Sequence, residues 1–177
     1  MNITKNMIVF IVILSIFLLP DKGYTQGHRS LYSQAVKYAR SGDTDFAFMS
    51  FRRFLRTYPK SRFSERALFA IGEYYFQIAD YYDAAQVFMR FINNYPQSKA
   101  RPFALAYLLT LANITGKEEL TKDLEKEIIS SQQITFLFRE FKEYEYSSPL
   151  SKRHKAVYFI DKVEFYIDEE LFTQVLY

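Results

Sequence analysis

Between Arg66 and Pro96 the apolar positions recur at intervals of three and four. Leu68, Ile71, Tyr74 and Tyr75 line one face of a helix whose start is signalled by Ser64 and Glu65. Asp80-Tyr81-Tyr82-Asp83 then breaks the pattern with turn-forming and capping residues, and Ala84, Val87, Phe88 and Phe91 make the inner stripe of a second helix. Asn93-Asn94-Tyr95-Pro96 stops it, because the residue before a proline is pushed out of the helical region. Gly72 and Ala84 are small where two antiparallel helices cross most closely, and Phe88 and Phe91 fill the space beside them. The aromatic density of this stretch is therefore packing material for a helix pair.

The pair recurs. A shift of 37 residues brings Asp43 onto Asp80, Ala47 onto Ala84, Phe51 onto Phe88, Arg53 onto Arg90 and Phe54 onto Phe91. The register continues through Tyr58-Pro59 on Tyr95-Pro96, Ser61 on Ser98 and Ala67-Leu68 on Ala104-Leu105, giving ten identities over 33 gap-free positions. Self-similarity at such a period means stacked supersecondary units, each burying the hydrophobic face of its neighbour.

Leu68, Ile71, Gly72, Tyr75, Ala84, Phe88, Phe91 and Pro96 together match a known pattern, and on them the stretch resembles the tetratricopeptide repeat family. One repeat earlier the same positions hold Leu31, Gln34, Ala35, Tyr38, Ala47, Phe51, Phe54 and Pro59, with Gln34 the one clear departure. One repeat later Leu105, Leu108 and Ala112 fit, Leu109 takes the small position, and the second helix is blurred beyond Gly116. The strings "FLRTYPKS" and "FINNYPQSKARPFAL", which close the repeats on tyrosine-proline-x-serine, are similar to the bacterial envelope subset of the family. That subset includes the cell-division coordinator that binds TolA and BamD, the lipoprotein of the outer-membrane barrel-assembly machine. "IGEYY" and "YPQSKA" lean towards the coordinator, although its N-terminal coiled-coil segment is not seen; the lipoprotein would need a lipid-bearing cysteine, and the chain has none.

The resemblance implies an all-α fold. Antiparallel helix pairs would stack in a short right-handed superhelix of about three repeats over residues 26–130, the third degenerate, with C-terminal capping helices over residues 131–177. Leu120, Leu124 and Ile128 step by four through a charged background and complete the third pair. Ile134, Leu137, Phe138 and Phe141 suggest a further helix. Ser148-Pro149 can start the last element, in which Ala156, Ile160, Val163, Ile167 and Leu171 mark one helical face. "KVEFYID" also alternates well enough to be a strand, but no glycine or hairpin dipeptide interrupts residues 150–177, and the reading adopted is helix.

Ahead of the repeats, the apolar run Met7 to Leu19 follows Lys5 and ends at Pro20-Asp21. This is the shape of a secretory signal over residues 1–25, cut before Gln26, rather than of a membrane span of about 20 apolar residues. The alternative is an uncleaved anchor; on either reading the remainder is exported, to the periplasm in a bacterial envelope. With no cysteine the fold rests on packing alone and thiol chemistry is excluded. Beyond residue 25 the chain carries 21 basic and 19 acidic residues, a balance that gives no reason to expect nucleic acid or an anionic membrane as the main partner.

Catalytic groups are sparse. His28 lies beside the cleavage site, His154 sits in the charged run "SKRHK", and neither has a second histidine three or four residues away, so no metal or cofactor is expected. Glu118-Glu119 and Glu169-Glu170 read as solvated faces, and no phosphate-cradling glycine loop is present. The reading is a non-enzymatic adaptor or scaffold that binds an envelope protein, peptide or helix, with outer-membrane barrel assembly as the alternative setting to cell division. An enzyme subunit with chemistry in residues 131–177, or a module that self-associates through exposed tyrosines, are the rival classes. The family's groove positions carry over to Tyr32, Val36 and Arg40 in the first repeat. They continue with Arg66, Phe69, Glu73, Phe76 and Gln77 in the second, and Phe103, Thr110 and Asn113 in the third.

Overall fold

The computed structural model describes residues 22–130 and 142–177. Six helices come first: α1 Lys22–Arg40, α2 Thr44–Thr57, α3 Ser64–Gln77, α4 Tyr81–Asn94, α5 Arg101–Ile114 and α6 Glu118–Ser130. They pack in chain order as three antiparallel pairs. The proposed leader lies outside the described residues apart from its last few, which already belong to the first turns of α1. Among the described residues no helix is long and apolar enough to cross a membrane.

The repeat is visible in individual hydrogen bonds. Tyr58 N–H donates to Phe54 O at 2.8 Å and Tyr95 N–H to Phe91 O at 2.9 Å, so both second helices end on the tyrosine before proline. The residues that lengthen the period then fold into the same turn twice, with Ser61 N–H on Tyr58 O and Ser98 N–H on Tyr95 O. Asp80 caps α4 by accepting from Asp83 N–H at 3.2 Å. At the helix crossing, a Cβ on Gly72 would meet the Phe88 ring at 2.8 Å, and Ala84, Phe88 and Phe91 are all completely buried. Only glycine lets α3 approach α4 this closely.

The third pair is complete, with Leu124 and Ile128 of α6 buried. Its first helix, α5, buries nine of its fourteen residues, because α4 and α6 flank it and a sheet covers it.

That sheet corrects the all-α reading. Instead of capping helices, residues 142–177 form an antiparallel meander of β1 Lys142–Ser147, β2 Arg153–Tyr158, β3 Lys162–Ile167 and β4 Glu170–Leu176, in that order. Ala156, Val163, Phe165 and Val175 point inward and join the core of the second and third repeats. Of the positions taken as one helical face, Ile160 and Leu171 are instead exposed, at the β2–β3 turn and on β4. Ser148-Pro149 starts no helix; it opens the β1–β2 turn, closed by Ser148 N–H on Lys152 O at 2.9 Å.

The β3–β4 turn explains the misreading. Asp168 and Glu169 hold φ of 51° and 73°, the left-handed region that a hairpin usually fills with glycine or asparagine. Side chains hold them there: Asp168 Oδ1 accepts from Arg153 N–H at 2.9 Å and Glu169 pairs with the Arg153 guanidinium at 2.8 Å. The further helix suggested around Ile134 to Phe141 lies outside the described residues.

Candidate functional site

The side of the stack that the repeat resemblance makes concave is formed by the first helix of each pair, α1, α3 and α5. Phe69, Glu73 and Phe76 follow at four and three residues along α3, and Phe103, Tyr107 and Thr110 at the same steps along α5, so each set forms one stripe. In this chain the stripes meet the inner face of the sheet. Tyr146 and His154, cross-strand partners on β1 and β2, sit edge-on to Phe69 and beside Phe103 at ring distances of 5.1 to 6.1 Å. A bulge between Phe165 and Tyr166 advances the β3–β4 register, and Phe172 packs on Phe76 and Tyr107 at 5.6 and 5.0 Å.

The expected groove residues therefore divide. Phe69, Glu73 and Phe103 lie beneath the sheet, and Tyr32 is buried by stacking on Phe63 at 4.5 Å. Val36, Phe76 and Thr110 are half-buried, while Arg40, Arg66, Gln77 and Asn113 remain exposed. Arg66 sits at the seam between stack and sheet, where its Nη2 donates to Ser147 O at 3.1 Å. Around it α3, the α4–α5 turn and β1 leave an open notch of about 550 Å³ lined by Glu65, Arg66, Lys99 and Glu145 among others.

Under the sheet lies a polar cluster. His154 Nε2 stands 3.2 Å from Glu73 Oε1, and the Tyr107 hydroxyl lies 3.5 Å from the same oxygen and 3.3 Å from Nε2. Glu73, Tyr107 and His154 are each no more than 2% exposed. With Nε2 protonated, the imidazole and the phenol both donate to Oε1, which gives one oxygen of the buried carboxylate two donors. Glu73 Oε2, His154 Nδ1 and the Tyr146 hydroxyl are buried without a hydrogen-bond partner among the described residues. A carboxylate, an imidazole and a phenol are the groups of acid–base catalysis, but here they are closed off from solvent, and their visible role is to join sheet to stack.

Sequence reasoning placed His154 in a solvated run and did not single out Tyr107 or Tyr146. The parity of β2 was the available signal, since His154 alternates with Ala156 and Tyr158 on the buried face.

Burial, followed by the charge of Glu73, raises the Tyr107 and Tyr146 phenols well above their ordinary value of 10.0. Below that pH both folded and unfolded chains keep these protons, and the two groups add no pH dependence. Above it the unfolded chain loses protons that the folded chain retains, so stability should fall by about 1.4 kcal/mol per pH unit for each tyrosine. Urea unfolding measured at several alkaline pH values checks the slope, and Tyr107→Phe should reduce it.

A family model described as "YfiO: Outer membrane lipoprotein" matches residues 25–167. No curated protein matches the chain. Of the two envelope relatives weighed from the sequence, the match favours the outer-membrane lipoprotein and gives the cell-division coordinator no support. The chain has no cysteine, so the lipid in that description has no cysteine acceptor in these 177 residues. The match spans the whole stack from residue 25 through β3, including the β1–β2 hairpin that carries His154 onto Glu73, and on that extent the chain belongs to the YfiO outer membrane lipoprotein family.

Proposed function

We propose that this protein is a non-enzymatic, exported adaptor of outer-membrane assembly that works on the periplasmic side and holds an envelope protein. The observation that carries the reading is the family match over residues 25–167, which takes in the stack and the first three strands of the sheet. Stacked helix pairs present a large, rigid surface for binding. Because the sheet occupies the middle of the concave side, the partner docks at its rim, in the notch around Arg66, where backbone of β1 and side chains of both charge signs are accessible.

Crosslinking of the tagged protein in intact cells, with neighbours identified by mass spectrometry, tests the setting. Barrel-assembly components are the expected neighbours, and recovery of Tol-system or cell-wall synthesis proteins in their place would overturn it. Arg66→Glu tests the notch. It should leave the helical circular dichroism unchanged and weaken capture of the partner about tenfold or more, as expected for a charge reversal at a contact. Unchanged capture would remove the notch from the reading.

A further inference from the structure

The two ends of the stack are not alike. By the repeat's shift of 37, Gln34 and Tyr38 of α1 correspond to Ile71 and Tyr75 of α3, and Ser50 of α2 to Val87 of α4. In the second repeat these positions form the face on which the preceding repeat sits: Ile71 is buried, and Tyr75 and Val87 pack into the same cluster as Phe48 of α2. In the first repeat the corresponding face has no helix on it among the described residues. It forms a groove of about 580 Å³ between α1 and α2, into which Gln34 brings a polar side chain where the second repeat has isoleucine.

The groove wall combines apolar and basic residues. Phe46 and Met49 are 59% and 62% exposed, and Arg53 and Arg56 continue their stripe along α2. Neither arginine has an acidic partner among the described residues. Charge is segregated in the same sense. Residues 22–63 hold nine Lys or Arg against two Asp, a net of +7, while residues 64–177 hold 13 basic against 17 acidic, a net of −4.

We infer that this open end docks an acidic amphipathic α-helix of a partner protein, seated in the α1–α2 groove where a preceding repeat would place its own helix. The second repeat shows that the face is shaped to receive a helix, Phe46 and Met49 supply the apolar contact, and Arg53 and Arg56 select acidic flanks. The same face of a second copy carries the same charge, so a symmetric face-to-face pair is disfavoured. A membrane surface would leave the concavity and Gln34 unmatched. The inference rests on the adaptor reading for the existence of a protein partner, and it adds a surface distinct from the notch at Arg66.

A photo-reactive residue at Met49 of the full chain, crosslinked in cells and mapped by mass spectrometry, tests it, with the same residue at exposed Tyr82 as control. The expected adduct lies on an acidic helical segment of another envelope protein. Arg53→Glu with Arg56→Glu should reduce it about tenfold or more, through charge reversal, without altering the thermal melt. Adducts to lipid, adducts to a second copy, or a yield no higher than at Tyr82 would each overturn the proposal. If tag-based crosslinking still recovers barrel-assembly components while Met49 gives nothing, the adaptor reading stands and this face falls; if both fail, both fall.

Discussion

Ala84→Arg is expected to abolish the folded stack, with a loss of more than about 4 kcal/mol. Ala84 is completely buried on α4, in one cluster with Leu68, Phe69, Phe88 and Phe91. Its neighbour across the crossing is α3, which comes so close that a Cβ on Gly72 would already strike Phe88. A guanidinium there adds volume to a filled site and places a charge where no carboxylate is free to receive it, since Glu73 is engaged by His154 and Tyr107. Either effect alone costs about 1 to 3 kcal/mol or more, and a chain of this size has only about 5 to 15 kcal/mol in total. Far-UV circular dichroism and urea unfolding of the purified variant measure the result. Ala84→Gly, which adds no volume but loses helix propensity and one buried methyl, should cost about 1 to 2 kcal/mol. A cooperative Ala84→Arg transition within about 2 kcal/mol of the parent would mean that α3 and α4 do not cross at this residue.

The helical stack was legible because each of its signals is local. Asp80 caps its own helix, Tyr95-Pro96 ends its own helix, and the pairing of Gly72 with Phe88 follows from a spacing that recurs 37 residues away. The sheet was not, because what holds it is non-local. Asp168 and Glu169 adopt the turn conformation that usually requires glycine, and Arg153, which steadies them, stands fifteen residues earlier on another strand. Absence of glycine was therefore a poor reason to prefer helix, while the alternation in "KVEFYID" was the better signal. The concave positions were legible as a stripe along α3 and α5, but not what would cover them. Nothing in the spacing of Phe69, Glu73 and Phe103 distinguishes a groove open to a partner from one filled by the chain's own strands. His154 carries that information only once β2 is known to run antiparallel to β1 and to place it opposite Tyr146.

The buried pair at the centre of that seam gives the second large effect. Glu73→Leu should destabilise the protein by about 3 to 5 kcal/mol, because it leaves the His154 imidazole and the Tyr107 hydroxyl in a dry site with only each other as partners. His154→Leu should cost a comparable amount by leaving the Glu73 carboxylate with the phenol as its one remaining donor. The double variant Glu73→Leu/His154→Leu should be more stable than either single variant, since it removes carboxylate and imidazole together and leaves only the neutral Tyr107 hydroxyl without a partner. Coupling of about 2 kcal/mol or more from urea unfolding of all four proteins would establish the pair as one unit. Additive costs would show that the two side chains act separately, and the seam would then rest on Phe69, Phe103 and Phe172 alone. The consequence reaches the surface. Arg66 reaches Ser147 on the same strand that carries Tyr146, so a sheet loosened at Glu73 and His154 should also disorder the rim where a partner is proposed to dock. In the single variants partner capture should fall together with stability, and the double variant should restore part of both.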